Sequence, residues 1–422
     1  MSWISDIPTG WEVKRLKYLG TARNGLTYAP EDVATEGILV LRSSNIQNDE
    51  LAFEDNVYVN MRIPREIVLQ ENDLLICSRN GSRELIGKCA LIDKETAGNT
   101  YGAFMCVYRS LYNPFIHYVM LSDIFNYYLG TFLTSTINQL TNANLLNIEI
   151  LLPPITEQRA IVSLLDDLCC QVDGIITDLE KQVEILKQYK KALITETVTK
   201  GLDKTASLKD SGIGWVGEIP ETWEIIRITK YLESLVDYRG KTPEKVDDGV
   251  FLVTARNIKD GKIDYTLSQE YVREQDYSNI MRRGSLELGD VLFTTEAPMG
   301  EVANVDRTDF ALAQRVVKFR GRKNKINNYF LKYWLMSSGF QSFLSTQATG
   351  STALGVAASR FGFFKMPCPS LGEQAAIVEY LDRKCAETDD LIAEKQRAAD
   401  VMRQYKKSLI YEYVTGKKRV VS

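Results

Sequence analysis

Two long stretches of the chain place apolar residues at steps of three and four. The first runs through Ile161, Leu165, Leu168, Val172, Ile176, Leu179, Val183, Leu186 and Leu193, with Ile175 doubling the stripe midway. This spacing predicts a coiled-coil seam. Pro153 and Pro154 precede it, Thr156 offers an N-cap and Gly201 a stop. The second stretch runs through Ile377, Leu381, Leu391, Ile392, Ala399, Met402, Leu409 and Ile410. It opens on Ser370 and Glu373 in an S-x-x-E capping box and ends at Gly416. About 44 helix-compatible residues lie in each, which at 1.5 Å per residue gives rods of roughly 65 Å. Lys384 and Lys395 stand where the first helix has Leu168 and Leu179, so the second seam is the weaker. Matched length, caps and order predict that the two helices pair with each other.

A region of about 150 residues precedes each helix and carries short β-rich runs. In the first these are Ile38–Leu41, Leu74–Cys77, Cys89–Ile92 and Phe104–Tyr108, followed by a helical stretch near 116–128. In the second they are Val250–Val253, Val291–Thr294, Val302–Val305 and Val316–Phe319, followed by a helical stretch near 329–337. The fold class predicted is α+β, with strands in irregular order. Ser207–Gly217, rich in Gly and polar residues, reads as the linker into the second half.

The two halves are copies of one pattern at an offset near 212 to 217 residues. Ile7-Pro8-Thr9-Gly10-Trp11-Glu12 recurs as Ile219-Pro220-Glu221-Thr222-Trp223-Glu224, and Ser44-Asn45-Ile46 as Arg256-Asn257-Ile258. Leu69–Ile76 answers Leu286–Phe293, with Asn72 and Gly289 sharing a turn position that favours positive φ. Glu157-Gln158-Arg159-Ala160-Ile161-Val162 returns as Glu373-Gln374-Ala375-Ala376-Ile377-Val378, and Gln188-Tyr189-Lys190-Lys191 as Gln404-Tyr405-Lys406-Lys407.

Composition narrows the function by exclusion. The 422 residues, 45% hydrophobic and 25% charged, fit two large or three ordinary domains and rule out disorder and collagen-like structure. No apolar run is long enough to span a membrane and the start of the chain lacks a basic region followed by an apolar core, so a cytoplasmic protein is expected. The seven cysteines, an odd number with no C-x-x-C pair, read as small buried side chains in a reducing compartment. With His117 as the only histidine, a His-based triad or a two-imidazole metal site is excluded. Gly81–Cys89 approaches a phosphate loop, but its spacing is off by one and a Cys replaces the metal-binding hydroxyl, so it reads as turn and strand. Leu152-Pro153-Pro154-Ile155 lacks the acceptor side chain of an amino-methyltransferase loop. The acidic pairs Asp166-Asp167 and Asp389-Asp390 read as solvated helix flanks. Nothing assembles a nucleophile, a base and an oxyanion site, so the chain is expected not to be catalytic and to hold neither metal nor cofactor.

The loops offer instead a recurring mixture of Arg or Lys, amides, hydroxyls and Gly beside aromatics. In the first half the candidates are Arg42, Ser43, Asn45, Arg79, Asn80, Ser82, Arg83 and Tyr101; in the second they are Arg239, Lys241, Thr254, Arg256, Asn257, Thr295, Gln314, Arg315 and Ser351. Arg reads guanine and Asn or Gln reads adenine through paired hydrogen bonds, while Gly lets the backbone approach phosphate. A net charge of -4 requires the positive charge of such a surface to be local.

Two half-sequences, each an α+β region followed by a Pro-introduced, Glu-Gln-opened long helix ending in Gln-Tyr-Lys-Lys, closely resemble the specificity subunit of type I restriction-modification systems. The resemblance covers essentially the whole chain and is carried by 152–158, 369–374, Gly289-Asp290 to Gly300, Gln314-Arg315 and the repeated Ile-Pro-x-x-Trp-Glu. It implies target-recognition domains at 1–152 and 202–368 (linker 202–218), and long helices at 153–201 and 369–422 forming an antiparallel coiled coil with quasi-twofold symmetry. It also implies double-stranded DNA as ligand and docking of methyltransferase subunits, for which Glu157, Gln158, Gln188, Tyr189, Glu373, Gln374, Gln404 and Tyr405 are the candidates. Restriction and translocase subunits complete such complexes, with S-adenosylmethionine bound in the methyltransferase and ATP and Mg²⁺ in the restriction subunit. Arg79-Asn80-Gly81-Ser82 faces Glu296-Ala297-Pro298-Met299 in the second half, which favours an asymmetric, bipartite target. The rival expectation is a coiled-coil scaffold that presents two protein-binding domains and no DNA surface.

Overall fold

The computed structural model describes residues 7–133, 138–238, 240, 242–350 and 354–420. The chain divides into two compact units, Met1–Glu180 with Arg397–Ser422, and Lys181–Gln396. Eight α-helices occur among the described residues: α1 (Asn113–Leu121), α2 (Asp123–Phe132), α3 (Asn142–Leu146), α4 (Ile155–Lys200), α5 (Glu274–Ile280), α6 (Asn328–Met336), α7 (Ser338–Gln347) and α8 (Leu371–Val414). The division falls inside α4 and inside α8, so each unit owns part of both long helices.

The first unit is built on a four-stranded antiparallel sheet in the order Thr21–Asn24, Met105–Arg109, Leu74–Cys77, Cys89–Leu91. Its second layer is a small sheet in which Thr100–Tyr101 runs parallel to Ile38–Leu41. A ribbon pairs Glu12–Arg15 with Glu149–Leu152, so the strand leading into α4 is tied to the start of the chain. The second unit repeats this plan. Its large sheet runs Leu232–Asp237, Val316–Gly321, Val291–Thr295, Met299–Asn304; Phe310–Leu312 runs parallel to Val250–Val253; and Glu224–Arg227 pairs with Lys365–Cys368. The duplication read from the sequence is therefore a duplication of topology. The linker 207–217 adds a short hairpin, Leu208–Asp210 with Glu218–Pro220.

The helical stretch expected before each long helix is two helices broken at a serine. Ser122 and Ser337 each donate from Oγ back to a carbonyl three residues earlier, at 2.6 and 2.7 Å, which competes with helix continuation. The turn positions behave as their residue types predict, with φ of 64° at Asn72 and 83° at Gly289.

Asp73 and Asp290, one residue on, are 1% exposed. Asp73 accepts from Arg109 at 2.7 and 2.5 Å, and Asp290 from Arg320 at 2.8 and 2.7 Å. Each also accepts the N–H three residues back, at Gln70 and Glu287. Paired forks of this kind knit the turn to the central strand of each sheet.

Each long helix contributes to a core in both units. In the first, Ile161, Leu165 and Cys169 of α4 and Leu409, Ile410, Tyr413 and Val414 of α8 join Trp11, Leu74 and Phe115. In the second, Ile194 and Val198 of α4 and Ile377, Leu381 and Cys385 of α8 join Trp223, Phe293 and Trp334. Ion pairs within the first unit fix the direction of pairing. Glu157 meets Arg419, Asp173 meets Lys406 at 2.7 Å and Glu180 meets Arg403, so one partner's number falls as the other's rises. That order is antiparallel. Lys190 meets Asp389 at 2.6 Å in the second unit.

Several local expectations are corrected. α4 starts at Ile155, with the Pro154 carbonyl accepting from Gln158 N–H at 2.9 Å, so Thr156 lies in the first turn and is not the cap. Ser370 and Glu373 do form the reciprocal box, at 3.3 and 3.2 Å. Ile175 and Leu391 are 48% and 44% exposed, because the seam follows Val172, Ile176 and Val183 in α4 and Cys385, Thr388 and Ala399 in α8. Cys170 is exposed while the other six cysteines are buried. Asp166 is no free flank: it accepts from Tyr118 Oη at 2.6 Å, as Asp382 does from Tyr333 at 2.5 Å, and Asp389 is held by Lys190.

His117 of α1 takes the place that Lys332 takes in α6. Burial first, and the Lys406 ammonium second, lower the His117 pKa to about 4. The folded chain thus resists a proton that the unfolded chain accepts near 6.5, so this contribution is complete above pH 6.5 and is lost as pH falls toward 4. Between pH 7 and pH 5 the first unit is expected to lose about 2 kcal/mol by this route. A His117→Leu variant should show a shallower pH dependence in urea unfolding; an unchanged slope would acquit the histidine.

Candidate nucleic-acid interface

The exposed loops lie at matched ends of the strands in the two units. In the first unit, the loop after Leu74–Cys77 is held from two sides. Ser78 and Arg79 N–H both donate to the Phe104 carbonyl at 3.0 Å, Ser78 Oγ adds a third bond at 2.9 Å, and Leu140 N–H donates to the Ser78 carbonyl at 2.8 Å. The second unit repeats the pin: Thr295 donates from N–H and Oγ1 to the Arg315 carbonyl at 2.8 and 3.2 Å, and Val356 N–H donates to the Thr295 carbonyl at 3.0 Å. Backbone fixed in this way presents its side chains in one direction.

Around the first pin stand Arg79, exposed, with its guanidinium 5.3 Å from the Phe104 ring centre, and Asn80, whose Nδ2 donates to Ser43 Oγ at 3.1 Å. Asn80 also accepts from Ser82 N–H at 3.0 Å, so the sequence-distant clusters 42–45 and 79–83 meet. Arg42 is half-buried and pairs with Asp55 at 2.9 Å, while Arg83 donates to the Leu133 carbonyl at 2.9 Å. Around the second pin a cleft of about 200 Å³ brings Thr254, Arg256, Gln314 and Arg315 together. A neighbouring cleft of about 400 Å³ is lined by Thr295, Glu296, Arg315 and Thr349 among others. Arg315 holds φ at 78°, an uncommon value for a side-chain-bearing residue that the two Thr295 bonds maintain, and its guanidinium lies 3.6 Å from Glu296. Gln314 donates to Thr242 Oγ1 at 2.8 Å. Arg239, Lys241 and Ser351 lie outside the described residues.

Four sequence candidates turn inward instead of standing on the exposed surface. Asn45 and Asn257 are fully buried. Asn45 donates to the Ala52 carbonyl at 2.9 Å and accepts from Arg42 N–H; Asn257 donates to Asp264 and Ser268 carbonyls at 3.0 Å and accepts from Thr254. They plug the loops that carry Arg42 and Arg256. Tyr101 is buried with its hydroxyl donating to Arg23, and Thr295 is spent on the pin.

The helix candidates divide the same way. Gln158 and Gln374 are buried, donating to Pro153 and Pro369 carbonyls at 2.7 and 2.9 Å, and Gln374 also accepts from Asn327 N–H. Glu157 accepts from Trp11 Nε1 at 3.0 Å and Glu373 from Trp223 Nε1 at 3.2 Å. These pairs explain the recurrence of Ile-Pro-x-x-Trp-Glu and Glu-Gln in one chain: each tryptophan locks the start of the long helix that follows its own half. What α4 and α8 leave open is Gln188 and Gln404, with Tyr189 and Tyr405 half exposed. Ile185 and Val401, one turn before the tyrosines, are 63% and 56% exposed.

Sequence reasoning did not single out the Asp–Arg forks or the Trp–Glu locks. Their signal was present in the repeat, since both members of each pair recur near the common offset.

A duplicated α+β module, seated on paired long helices, presents pinned, arginine-bearing loops at matched places in its two units. A family model for the type I restriction modification DNA specificity domain matches residues 8–196 and 220–399, and the chain belongs to this family. It is similar to the putative type I restriction enzyme MjaX specificity subunit of Methanocaldococcus jannaschii, 28% identical over 99% of this chain and 96% of the relative. The type I restriction enzyme EcoKI specificity subunit of Escherichia coli is 22% identical over 92% of this chain and 85% of its own. In fold it resembles a chain from a structure of complex assembly and conformational transition in the type I R-M system, with TM-score 0.73, 16% identity, and coverage of 98% and 100%. The HsdS subunit of Thermoanaerobacter tengcongensis gives TM-score 0.50, 17% identity, and 98% of each chain. No helix among the described residues is long and apolar enough to cross a membrane.

Proposed function

We propose that this chain is the non-catalytic specificity subunit of a type I restriction-modification complex, reading a bipartite, asymmetric DNA site and docking methyltransferase subunits. The observation that carries the reading is the repeated pin with unlike side chains: Arg79 and Asn80 beside Ser43 in one unit, Arg256, Gln314 and Arg315 in the other. Loops held at the same place in the same fold but with different hydrogen-bonding heads suit two different half-sites. Arg42, Ser82, Arg83 and Thr254 flank them as phosphate or base contacts. Gln188, Tyr189, Gln404 and Tyr405 are the docking residues on the helices. S-adenosylmethionine belongs to the methyltransferase partner, and ATP and Mg²⁺ to a restriction subunit.

An electrophoretic shift of the full chain with its methyltransferase partner, across a salt series, tests the reading. Affinity should fall steeply with salt, roughly 0.9 logarithmic units per tenfold salt for each phosphate neutralised. Salt-insensitive binding, or none to any duplex, would overturn it in favour of a protein-binding scaffold. Arg79→Ala and Arg315→Ala should each cost about 1 to 3 kcal/mol of specific binding and relax one position, in different half-sites. A small uniform loss on every sequence would make them phosphate contacts. Replacing residues 1–152 with the matching region of a relative of different target should change one half of the methylated sequence only.

A further inference from the structure

Phe104 is 60% exposed although it follows the buried Tyr101 and precedes the buried run Met105–Tyr108. Single exposed apolar residues are ordinary on protein surfaces, but this one is not placed by default. Its carbonyl accepts three hydrogen bonds from Ser78 and Arg79, so its backbone is among the most constrained in the loop. In the pinned register Phe104 occupies the place that Arg315 occupies in the second unit, and Arg79 the place of Glu296. The two units thus carry the same pair of positions with different chemistry. One holds a guanidinium over an aromatic ring, the other a guanidinium beside a carboxylate.

We infer that Phe104 is a base-reading residue that contacts the 5-methyl group of a thymine in the half-site read by the first unit. This rests on the DNA-recognition reading above. A phenylalanine ring offers no hydrogen bond, and the apolar feature that a major groove displays is the thymine methyl. The Arg79 guanidinium lies 5.3 Å from the ring centre, so the two side chains stand together at the loop surface. The first half-site therefore combines an apolar contact with an arginine contact, whereas Arg315 gives the second a charged contact at the same position.

The test uses the complete modification complex and a target defined by methylation mapping. The first unit's half-site is the one left unrelaxed by Arg315→Ala. Each thymine in that half-site, on either strand, is replaced in turn by deoxyuridine, which removes the methyl and nothing else. One replacement should weaken wild-type binding about fourfold, the weight of one buried methyl-sized group at about 0.8 kcal/mol. In Phe104→Ala the same duplex and its thymine parent should bind equally, with thermal unfolding unchanged because the ring is exposed. Specific, salt-dependent wild-type binding that no deoxyuridine weakens would overturn the inference and leave the DNA-recognition reading standing. Thymine discrimination that persists at full strength in Phe104→Ala would overturn it as well. Absence of any DNA binding by the wild-type complex would instead sink the reading on which it rests. The wild-type series needs no variant, so the inference remains open to refutation even if Phe104→Ala fails to fold.

Discussion

Asp290→Asn is expected to destabilise the second unit by about 3 to 5 kcal/mol, the usual cost of removing one member of a buried charge pair. The carboxylate is 1% exposed, faces Arg320 through two hydrogen bonds and lies 3.4 Å from the ammonium of Lys318, itself 1% exposed. Burial depresses the Lys318 pKa while the Asp290 charge raises it, with the net shift downward. Asparagine keeps the shape and removes the charge. Arg320 then retains Glu287 at 2.6 Å, but Lys318 keeps only the Ser285 carbonyl. In the first unit Val107 lies on the strand where the second has Lys318, so among the described residues Asp73 meets a single cation, Arg109, which also donates to the Val68 carbonyl. Asp73→Asn should therefore cost less than Asp290→Asn. Guanidinium unfolding of the full chain, followed by tryptophan fluorescence, measures both. Equal losses would show that the buried lysine carries no weight in the network.

This network also marks the boundary of what could be read beforehand. The long helices were legible because a stripe repeated over many turns has no competing explanation, and because Ser370 with Glu373 and the two terminal glycines are local signals. Gly201 and Gly416 hold φ at 72° and 69°, as helix ends require. The positive φ at Asn72 and Gly289 was legible for the same reason. The register of the seam was not, since doubled apolar residues at Ile175-Ile176 and Leu391-Ile392 leave open which of each pair turns inward, and only packing decides. Contacts such as Asp73 with Arg109 are fixed by the sheet, and nothing local in the sequence announces them.

The loop chemistry divides along the same line. Residue type marked loops that the fold holds at matched places in the two units, but not the direction of each side chain. Asn45 and Asn257 have the donor and acceptor set that reads adenine, and the same set satisfies a buried loop, which is where the fold spends it. The role proposed for Phe104 has no counterpart among the polar residues of the loop, because it rests on the pinned Phe104 carbonyl and on the match to Arg315.

Trp223→Ala is expected to cost about 3 to 5 kcal/mol, the range for truncating a fully buried large side chain. Trp223 is 1% exposed, donates to Glu373 at the start of α8, and packs its ring against the end of α4, where a Cβ on Gly201 would lie 3.1 Å from it. One side chain thus joins two helix ends to the second sheet unit. Trp11 does the same in the first unit, with Glu157 at the start of α4 and Gly416 at the end of α8, where a Cβ would approach the ring to 3.3 Å. The two locks differ in what remains when the indole N–H is removed. Glu157 is also held by Arg419 through two bonds of 2.9 Å, whereas Glu373 retains the capping contacts to Ser370. Trp11→Phe should therefore cost less than Trp223→Phe, because a charged partner still anchors Glu157, and both should cost less than the alanine variants. In a double-mutant cycle of Trp223→Phe with Glu373→Ala, which removes the acceptor, the two losses should fall short of adding, by about 0.5 to 1.5 kcal/mol, the net worth of one hydrogen bond. Strict additivity would show that the tryptophans act through packing alone and that the repeated Glu serves only as a helix cap.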